Sequence, residues 1–152
     1  MSEPFEPEIM VLYCGHTLAK GDRPPEVMKH ASGFKARFIM MPCSSKIEPG
    51  HLVKLIEQGM DRVTVVACPE ANCQFLVGSN RAEGRVRYTR ILLDEAGMGA
   101  ERVGIVRKDG LSVADLIGIA EYGAKMVGRL GPSPMKTPVE VKEHVEEIPC
   151  KR

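Results

Sequence analysis

The sequence predicts a single α/β domain built on a four-stranded parallel sheet with helices on its faces. Four short apolar runs predict the strands, and they cover residues 9–14, 36–43, 62–69 and 102–108. None of these runs alternates cleanly between apolar and polar residues, which favours strands buried on both faces. Helical patterns separate the runs, and a regular alternation of strands and helices is typical of parallel α/β folds.

Four segments between and after these strands are predicted to be helical. They are residues 22–32, 48–58, 80–96 and 112–130. The first carries two consecutive prolines, which suit a first helical turn. Gly59 and Gly97 follow the second and third as stop signals. The fourth opens on Ser112, and Asp115 three residues later completes the spacing of a capping box.

The last part of the chain differs from the rest in composition. After Gly131 the sequence contains four prolines and many charged residues. We therefore expect residues 1–131 to form the α/β domain and residues 132–152 to form an extended, proline-containing tail.

The composition argues against several classes of function. The 152 residues are 43% hydrophobic and 27% charged with a net charge of +1, which implies no bulk attraction to nucleic acid. No apolar stretch approaches the roughly 20 residues of a membrane span, and the acidic start does not resemble a signal peptide. We expect a cytoplasmic protein, in which thiols stay reduced. Five cysteines in such a chain indicate metal or redox chemistry.

Three cysteines end predicted strands, and a fourth follows closely. Cys14, Cys43 and Cys68 end the first three strands, and Cys73 comes four intervening residues after Cys68. The carboxyl ends of parallel strands lie on the same edge of a sheet, about 4.8 Å apart between neighbours. This edge is also where open α/β sheets bind ligands. If the three strands are neighbours, the four thiols form one site there.

Four thiolates suit either an iron–sulfur cluster or a tetrahedral zinc ion. Zinc ribbons usually present two short cysteine pairs, whereas only Cys68 and Cys73 form a short pair here. A centre with two metal atoms tolerates dispersed ligands better, and the C-x4-C spacing also occurs in plant-type [2Fe–2S] ferredoxins. The pattern favours an iron–sulfur centre, while zinc and ordinary buried cysteines stay open as alternatives.

Other candidate residues carry weaker signals. His16 could be a ligand, a hydrogen-bond donor to the site or an ordinary loop histidine, and Cys150 is expected to be a bystander thiol. A cysteine hydrolase is disfavoured because only His16 could act as its base. The chain also lacks the C-x-x-C of thiol–disulfide enzymes and the glycine patterns of nucleotide-binding loops.

Four arginines follow the cysteine loop. They are either a solvated helix face or a basic rim that steadies an anionic thiolate site and docks an acidic partner. These residues are Arg81, Arg85, Arg87 and Arg90.

Two adjoining stretches closely resemble a known family. The run ACPEANCQFLVGSNRAEGRVRYTRILLDEAG (67–97), preceded by MPCSSKIEPGHLVKLIEQGMDRVTVVAC (41–68), is similar to the delta, iron–sulfur subunit of methyl-viologen-reducing hydrogenase. The markers are the segments M-x-C-S-x-x-I/V-x-P, G-x-D-x-V, C-x4-C and G-x-N-x-A-x-x-R-V. The resemblance covers roughly residues 9–130.

The resemblance implies a non-catalytic electron-transfer subunit that carries a [2Fe–2S] cluster. In that family the subunit lies between a catalytic module and the flavin-containing A subunit of heterodisulfide reductase, a flavoprotein that bifurcates electron pairs. The catalytic module can be a hydrogenase, a formate dehydrogenase or an enzyme of the benzoyl-coenzyme A reductase type. The positions that match the family's cysteines are Cys14, Cys43, Cys68 and Cys73.

The first strand departs from the family pattern. The family's first strand commonly ends in C-C-x-x-C, whereas this chain reads YCGHTLA and keeps Cys14 alone. Two further hypotheses therefore stand beside the electron-transfer subunit. One is a scaffold subunit with a degenerate cluster site, and the other is a zinc-binding regulatory module.

Overall fold

One five-stranded sheet organises the protein in a computed structural model that describes residues 4–31 and 33–136. The strands are β1 (Glu8–Cys14), β2 (Met28–Ala31), β3 (Phe34–Met41), β4 (Arg62–Ala67) and β5 (Val103–Arg107). The helices are α1 (Pro49–Glu57), α2 (Gly78–Glu95) and α3 (Val113–Leu130). The strand order is β2-β3-β1-β4-β5, and every pair is parallel except β2 with β3.

The first connection differs from the predicted one. The α/β class and the four parallel strands are confirmed, but the sheet has a fifth strand, β2, and the helix predicted over 22–32 is wrong. Val27 and Met28 are exposed, so this segment has no apolar face with which to pack a helix. Gly33 has a φ of +90°, which permits the turn that returns the chain from β2 to β3. The segment therefore satisfies its backbone by pairing with the sheet edge.

The other helix boundaries follow the predicted signals. Ser112 caps α3: its hydroxyl accepts the Asp115 amide, and the Asp115 carboxylate accepts the Ser112 amide. Gly59 and Gly97, which follow α1 and α2, have φ values of +103° and +72°. Glycine adopts this left-handed conformation without a steric cost, which explains why these helices end where they do.

The core lies on both faces of the sheet. Ile9, Val11 and Tyr13 of β1 pack in the cluster beneath α3, whereas Met10 and Leu12 pack in the cluster beneath α1 and α2. Because successive side chains of a strand point to opposite faces, a strand that is covered twice must be apolar throughout. This double burial produces the uninterrupted apolar runs in the sequence.

The amino ends of the central strands are held by a buried carboxylate. Asp61, which has no exposed surface, precedes β4. One of its oxygens accepts the Ser133 amide at 2.7 Å. The other accepts the Glu8 amide at 2.8 Å and the Lys136 ammonium at 2.6 Å. Asp61 therefore ties the start of β1 and the segment after α3 to β4.

A buried arginine reinforces the same region. Arg102, 2% exposed, donates through Nη1 to the Asp61 carbonyl and through Nη2 to the carbonyls of Gly131 and Pro132. Residues 131–136 thus pack against the sheet, and residues 137–152, most of the predicted tail, lie outside the described residues. Within the described residues, none of the helices combines the length and apolarity needed to span a bilayer.

Replacing the buried carboxylate tests how much stability it provides. Asp61→Asn turns an amide NH₂ toward at least one of three hydrogen-bond donors, so we expect the free energy of unfolding to fall by about 2–4 kcal/mol. Urea denaturation measures this loss. Asp22→Asn, at an exposed loop position, is the matched control and should change stability by less than about 0.5 kcal/mol. Equal stability of the two variants would contradict the assigned role of Asp61.

Candidate metal centre

Three cysteines lie at the carboxyl edge of three neighbouring strands. Cys14 is the last residue of β1, Cys68 follows the end of β4, and Cys43 lies two residues beyond β3. The order β3-β1-β4 makes these strands adjacent, which is the condition for their thiols to meet. The predicted strands 36–43 and 62–69 extend past the observed ends, so Cys43 and Cys68 lie in the loops that follow β3 and β4. All three thiols are buried.

Cys14 and Cys68 form the first thiol pair. The Cys68 thiol donates to the Cys14 sulfur at 3.7 Å, and Cys14 donates weakly to the Pro42 carbonyl at 3.9 Å. Burial, reinforced by the adjacent Cys14, raises the pKa of Cys68 to about 12. A tetrahedral metal with sulfur ligands at about 2.3 Å separates two such ligands by about 3.8 Å. The spacing of this pair therefore matches two thiolates on one metal atom.

Cys43 and Cys73 form a second pair around Gly78. A Cβ placed on Gly78 would lie 3.0 Å from the Cys43 sulfur and 3.4 Å from the Cys73 sulfur. Both sulfurs therefore line one small notch, which any side chain at position 78 would fill. Gly78 is the first residue of α2, so the notch lies at the amino end of a helix.

Hydrogen bonds favour the thiolate form of Cys73. Burial raises the pKa of Cys73, but hydrogen bonds from Ser79, from the amide of Phe75 and from that of Gly78 outweigh burial and lower it. Cys43 accepts the Ser45 amide at 3.4 Å, and its sulfur lies 3.1 Å from the Ser45 hydroxyl. The amino end of α2 also stabilises negative charge, as helix amino termini do for reactive thiols.

The loop between Cys68 and α2 has an unusual conformation. It contains a 3₁₀ turn over Glu70–Asn72, and Leu76 then has a φ of +56°. Few leucines adopt the left-handed region, because the Cβ crowds the backbone there. Phe75, Leu76 and Val77 are 54%, 79% and 48% exposed. The loop thus bends Cys73 back toward the strand ends and presents three apolar side chains beside it.

Arg85 fixes the loop that carries Cys43. Its Nη1 donates to the Ser45 carbonyl at 2.5 Å and to the Ile47 carbonyl at 2.8 Å. Arg81 and Arg87 are exposed, whereas Arg90 lines a separate cavity between α3 and β5. The four arginines therefore do not form one rim: one positions a thiol-bearing loop, and two remain on the surface.

The sequence also offered His16 and Cys150 as candidates. His16 is exposed in a 3₁₀ turn over Gly15–Thr17, and Cys150 lies outside the described residues. In residues 4–31 and 33–136, no three His, Cys, Asp or Glu side chains are grouped closely enough to hold a single ion. The thiol contacts in the described residues are that of Cys14 with Cys68 and those of Cys43 and Cys73 with the notch at Gly78.

Sequence reasoning missed the residues that shape this site. Gly78 begins the stretch GSNRAEGR, which carries a family marker but gives no sign that this glycine lies against the thiols. Ser45 and Ser79, which hydrogen-bond Cys43 and Cys73, are ordinary polar residues in the sequence. A glycine at the first turn of a helix that follows a cysteine loop is the one local signal of a close approach.

Comparison with known proteins identifies relatives along most of the chain. The family model of the delta subunit of methyl-viologen-reducing hydrogenase matches residues 9–131. A vhu iron–sulfur subunit of F420-non-reducing hydrogenase from Methanococcus voltae is 29% identical over 136 residues, which are 90% of this chain and 99% of the relative. The iron–sulfur subunit of F420-non-reducing hydrogenase from Archaeoglobus profundus is 28% identical over 135 residues, 87% of this chain and 96% of the relative.

A third relative supports the same assignment. The vhu iron–sulfur subunit of F420-non-reducing hydrogenase from Methanocaldococcus jannaschii is 29% identical over 100 residues, 66% of this chain and 75% of the relative. The family match and these relatives agree with the motifs around Cys43, Cys68 and Cys73. The chain belongs to the delta-subunit family of methyl-viologen-reducing hydrogenase.

Proposed function

We propose that this protein is an electron-transfer subunit that binds one [2Fe–2S] cluster through Cys14, Cys43, Cys68 and Cys73. It relays electrons between a flavoprotein like the A subunit of heterodisulfide reductase and a catalytic module, in a complex that bifurcates electrons. The protein itself carries no substrate chemistry. The relatives are named as iron–sulfur subunits of hydrogenases, which supports a hydrogenase as the catalytic module.

The observation that carries this proposal is the division of the four thiols into two pairs. Cys14 and Cys68 lie 3.7 Å apart, and Cys43 and Cys73 face the notch at Gly78. A [2Fe–2S] cluster requires two cysteine ligands for each of its two iron atoms. The donor set is entirely thiol, which is the set that such clusters use.

A bound [2Fe–2S] cluster supplies reversible one-electron oxidation and reduction. The chain's own residues control its environment. Amide groups of Ser45 and Gly78 are placed to donate to ligand sulfurs. Such hydrogen bonds favour the more negative, reduced state and so raise the reduction potential. Arg85 holds the loop that carries Cys43 in place by donating to two of its backbone carbonyls.

The exposed loop beside Cys73 supports docking of an electron-transfer partner. Phe75, Leu76 and Val77 are exposed apolar residues that begin two positions after Cys73, a proposed ligand. Exposed apolar side chains of this kind mark protein contact sites. A flavoprotein that covers this loop would bring its cofactor close to the thiols.

The single cysteine of the first strand motivates the scaffold hypothesis. Against it, Cys14 is not isolated, because its sulfur lies within hydrogen-bond reach of the Cys68 thiol. A degenerate site would have no reason to keep Cys14 paired with Cys68 or to keep a glycine at the notch. Against the zinc hypothesis, the relatives are named as iron–sulfur subunits.

Replacing one ligand separates electron transfer from scaffolding. In the complex purified with its native partners, Cys68→Ser should leave the subunit composition intact and abolish electron flow from the catalytic module to the flavoprotein, because a cluster ligand is lost. Composition is read by gel filtration, and electron flow by reduction of the flavin. Cys150→Ser is the matched control and should behave as the unsubstituted chain. Undiminished electron flow through Cys68→Ser would contradict the proposal.

Filling the notch provides a second test. Gly78→Ala places a methyl group against the sulfurs of Cys43 and Cys73, and overpacking of this kind costs about 1–3 kcal/mol. We expect the iron content of the anaerobically purified protein to fall severalfold. Gly84→Ala, in the same helix with open space around its Cβ, should keep its iron and gain about 0.5–1 kcal/mol of stability. Equal iron in the two variants would argue against a ligand role for this pair.

The pKa values predict unequal thiol reactivity in metal-free protein. Cys73 is partly exposed with a lowered pKa, whereas Cys68 is buried with its pKa raised to about 12. Since the thiolate is the reactive form, iodoacetamide at pH 8 should modify Cys73 at least about tenfold faster than Cys68. Mass spectrometry of the alkylated peptides measures the two rates. Iron reconstitution should protect both thiols, and faster labelling of Cys68 would contradict the described environment.

A further inference from the structure

We propose that a second site, separate from the cysteine site, binds a small organic anion through the guanidinium of Arg62. The ligand class is a carboxylate or phosphate attached to an apolar body. The site is a cavity of about 580 Å³ between α3 and β5. None of the four cysteines lines this cavity, and the proposal does not depend on the proposed function.

Both apolar and charged side chains line the cavity. Thr64 of β4 and Gly104 of β5 line its floor, and Ile119 and Tyr122 of α3 line one wall. The α3 helix packs on β1 and β4, so the face of β5 beside it is left open as a groove. A cavity with a few polar groups among apolar walls is the usual form of a small-molecule site.

Two glycines make room for Arg62 to reach this cavity. A Cβ on Gly104 would collide with Nη2 of Arg62, and a Cβ on Gly123 would lie 3.1 Å from its Cδ. The Arg62 side chain therefore passes close against the Cα atoms of a glycine in β5 and a glycine in α3. Arg62 is only 7% exposed.

The guanidinium of Arg62 is only partly satisfied by the protein. Its Nε donates to the Thr64 hydroxyl at 3.3 Å, and its Nη1 donates to the Glu101 carbonyl. Nη2 has no hydrogen-bond partner in the described part of the chain. Every fully buried side-chain nitrogen or oxygen there does have a partner, so Nη2 keeps access to the cavity. The unused donors of Arg62 thus face the open space.

Arg102 is a buried arginine with a structural role, and it provides a comparison for Arg62. Its Nε and both terminal nitrogens donate to four backbone carbonyls, and the charge of Asp61 lies close by. Arg62 makes two hydrogen bonds, and no described carboxylate is in ion-pair contact with it. A buried charge without an ion-pair partner is costly, and a bound anion would lower that cost.

The surrounding charges favour an anion at this point. Burial lowers the pKa of Arg62, the positive charge of Arg90 lowers it further, and Tyr122 and Glu101 oppose this effect. Arg90 and Lys108 also line the cavity. The two acidic residues of the lining, Glu101 and Asp115, offset part of this charge, but the Asp115 carboxylate is engaged by the amide and hydroxyl of Ser112. Three cations and two carboxylates thus line the cavity, so the cations outnumber the carboxylates.

Calorimetric titration of the full chain, with whatever metal centre it carries, tests the site. The probes are phenyl phosphate and benzoate, with neutral benzyl alcohol as the control ligand. We expect at least one anion to bind at a single site, at least about tenfold more tightly than benzyl alcohol, because charge-assisted hydrogen bonds are stronger than neutral ones. The two anions distinguish a phosphate site from a carboxylate site.

Two variants locate the binding. Arg62→Gln should weaken anion binding about tenfold or more. Since Arg62 also bonds Thr64 and Glu101, Gly118→Leu provides a second test that leaves it intact: Gly118 lines the cavity, and its Cβ position is open. Gly118→Leu should abolish binding, whereas Gly84→Leu, on the α2 surface, should not. Binding that survives Gly118→Leu, or equal binding of benzyl alcohol, would overturn the proposal.

Discussion

The parallel pairing of β1 with both β3 and β4 is the constraint on which the rest of the structure depends. Hydrogen bonding in register sets Cys14 opposite Met41 and Tyr13 opposite Val66, so the three strands end at nearly the same level. The thiols that follow those ends are brought together by backbone geometry rather than by contacts of their own. The opposite ends are fixed by Asp61, which prevents the strands from sliding relative to one another.

The sequence predicted the features that depend on regular backbone structure. Cys14, Cys43 and Cys68 could be placed on one edge because double burial of β1 and β4 leaves uninterrupted apolar runs. The start of α3 could be placed because a capping box is a local pattern. The segment 22–32 was predicted wrongly, because its two prolines suit a helix start and nothing nearby reveals the open edge of β3 that it pairs with instead.

The details of the candidate centre could not be predicted, because they arise between residues distant in sequence. The notch at Gly78 forms because the first residue of α2 lies against the loop that holds Cys43. In the sequence, Arg85 cannot be told apart from the three other arginines that follow the cysteine loop. Only the fold shows that it donates hydrogen bonds to the backbone carbonyls on both sides of Lys46. Likewise Arg62 looks like the polar start of a strand, and its burial follows from glycines on two other elements.

The central claim is that four thiols in two pairs hold a two-iron cluster, and the metal content of the unsubstituted protein tests it most directly. Iron, acid-labile sulfide and zinc should be measured on anaerobically purified full-length chain, with EPR spectra before and after reduction by dithionite. The account predicts about two iron and two sulfide per chain, an EPR-silent oxidised state and a spin-one-half signal on one-electron reduction. A protein with no cluster and one zinc ion per chain would contradict it.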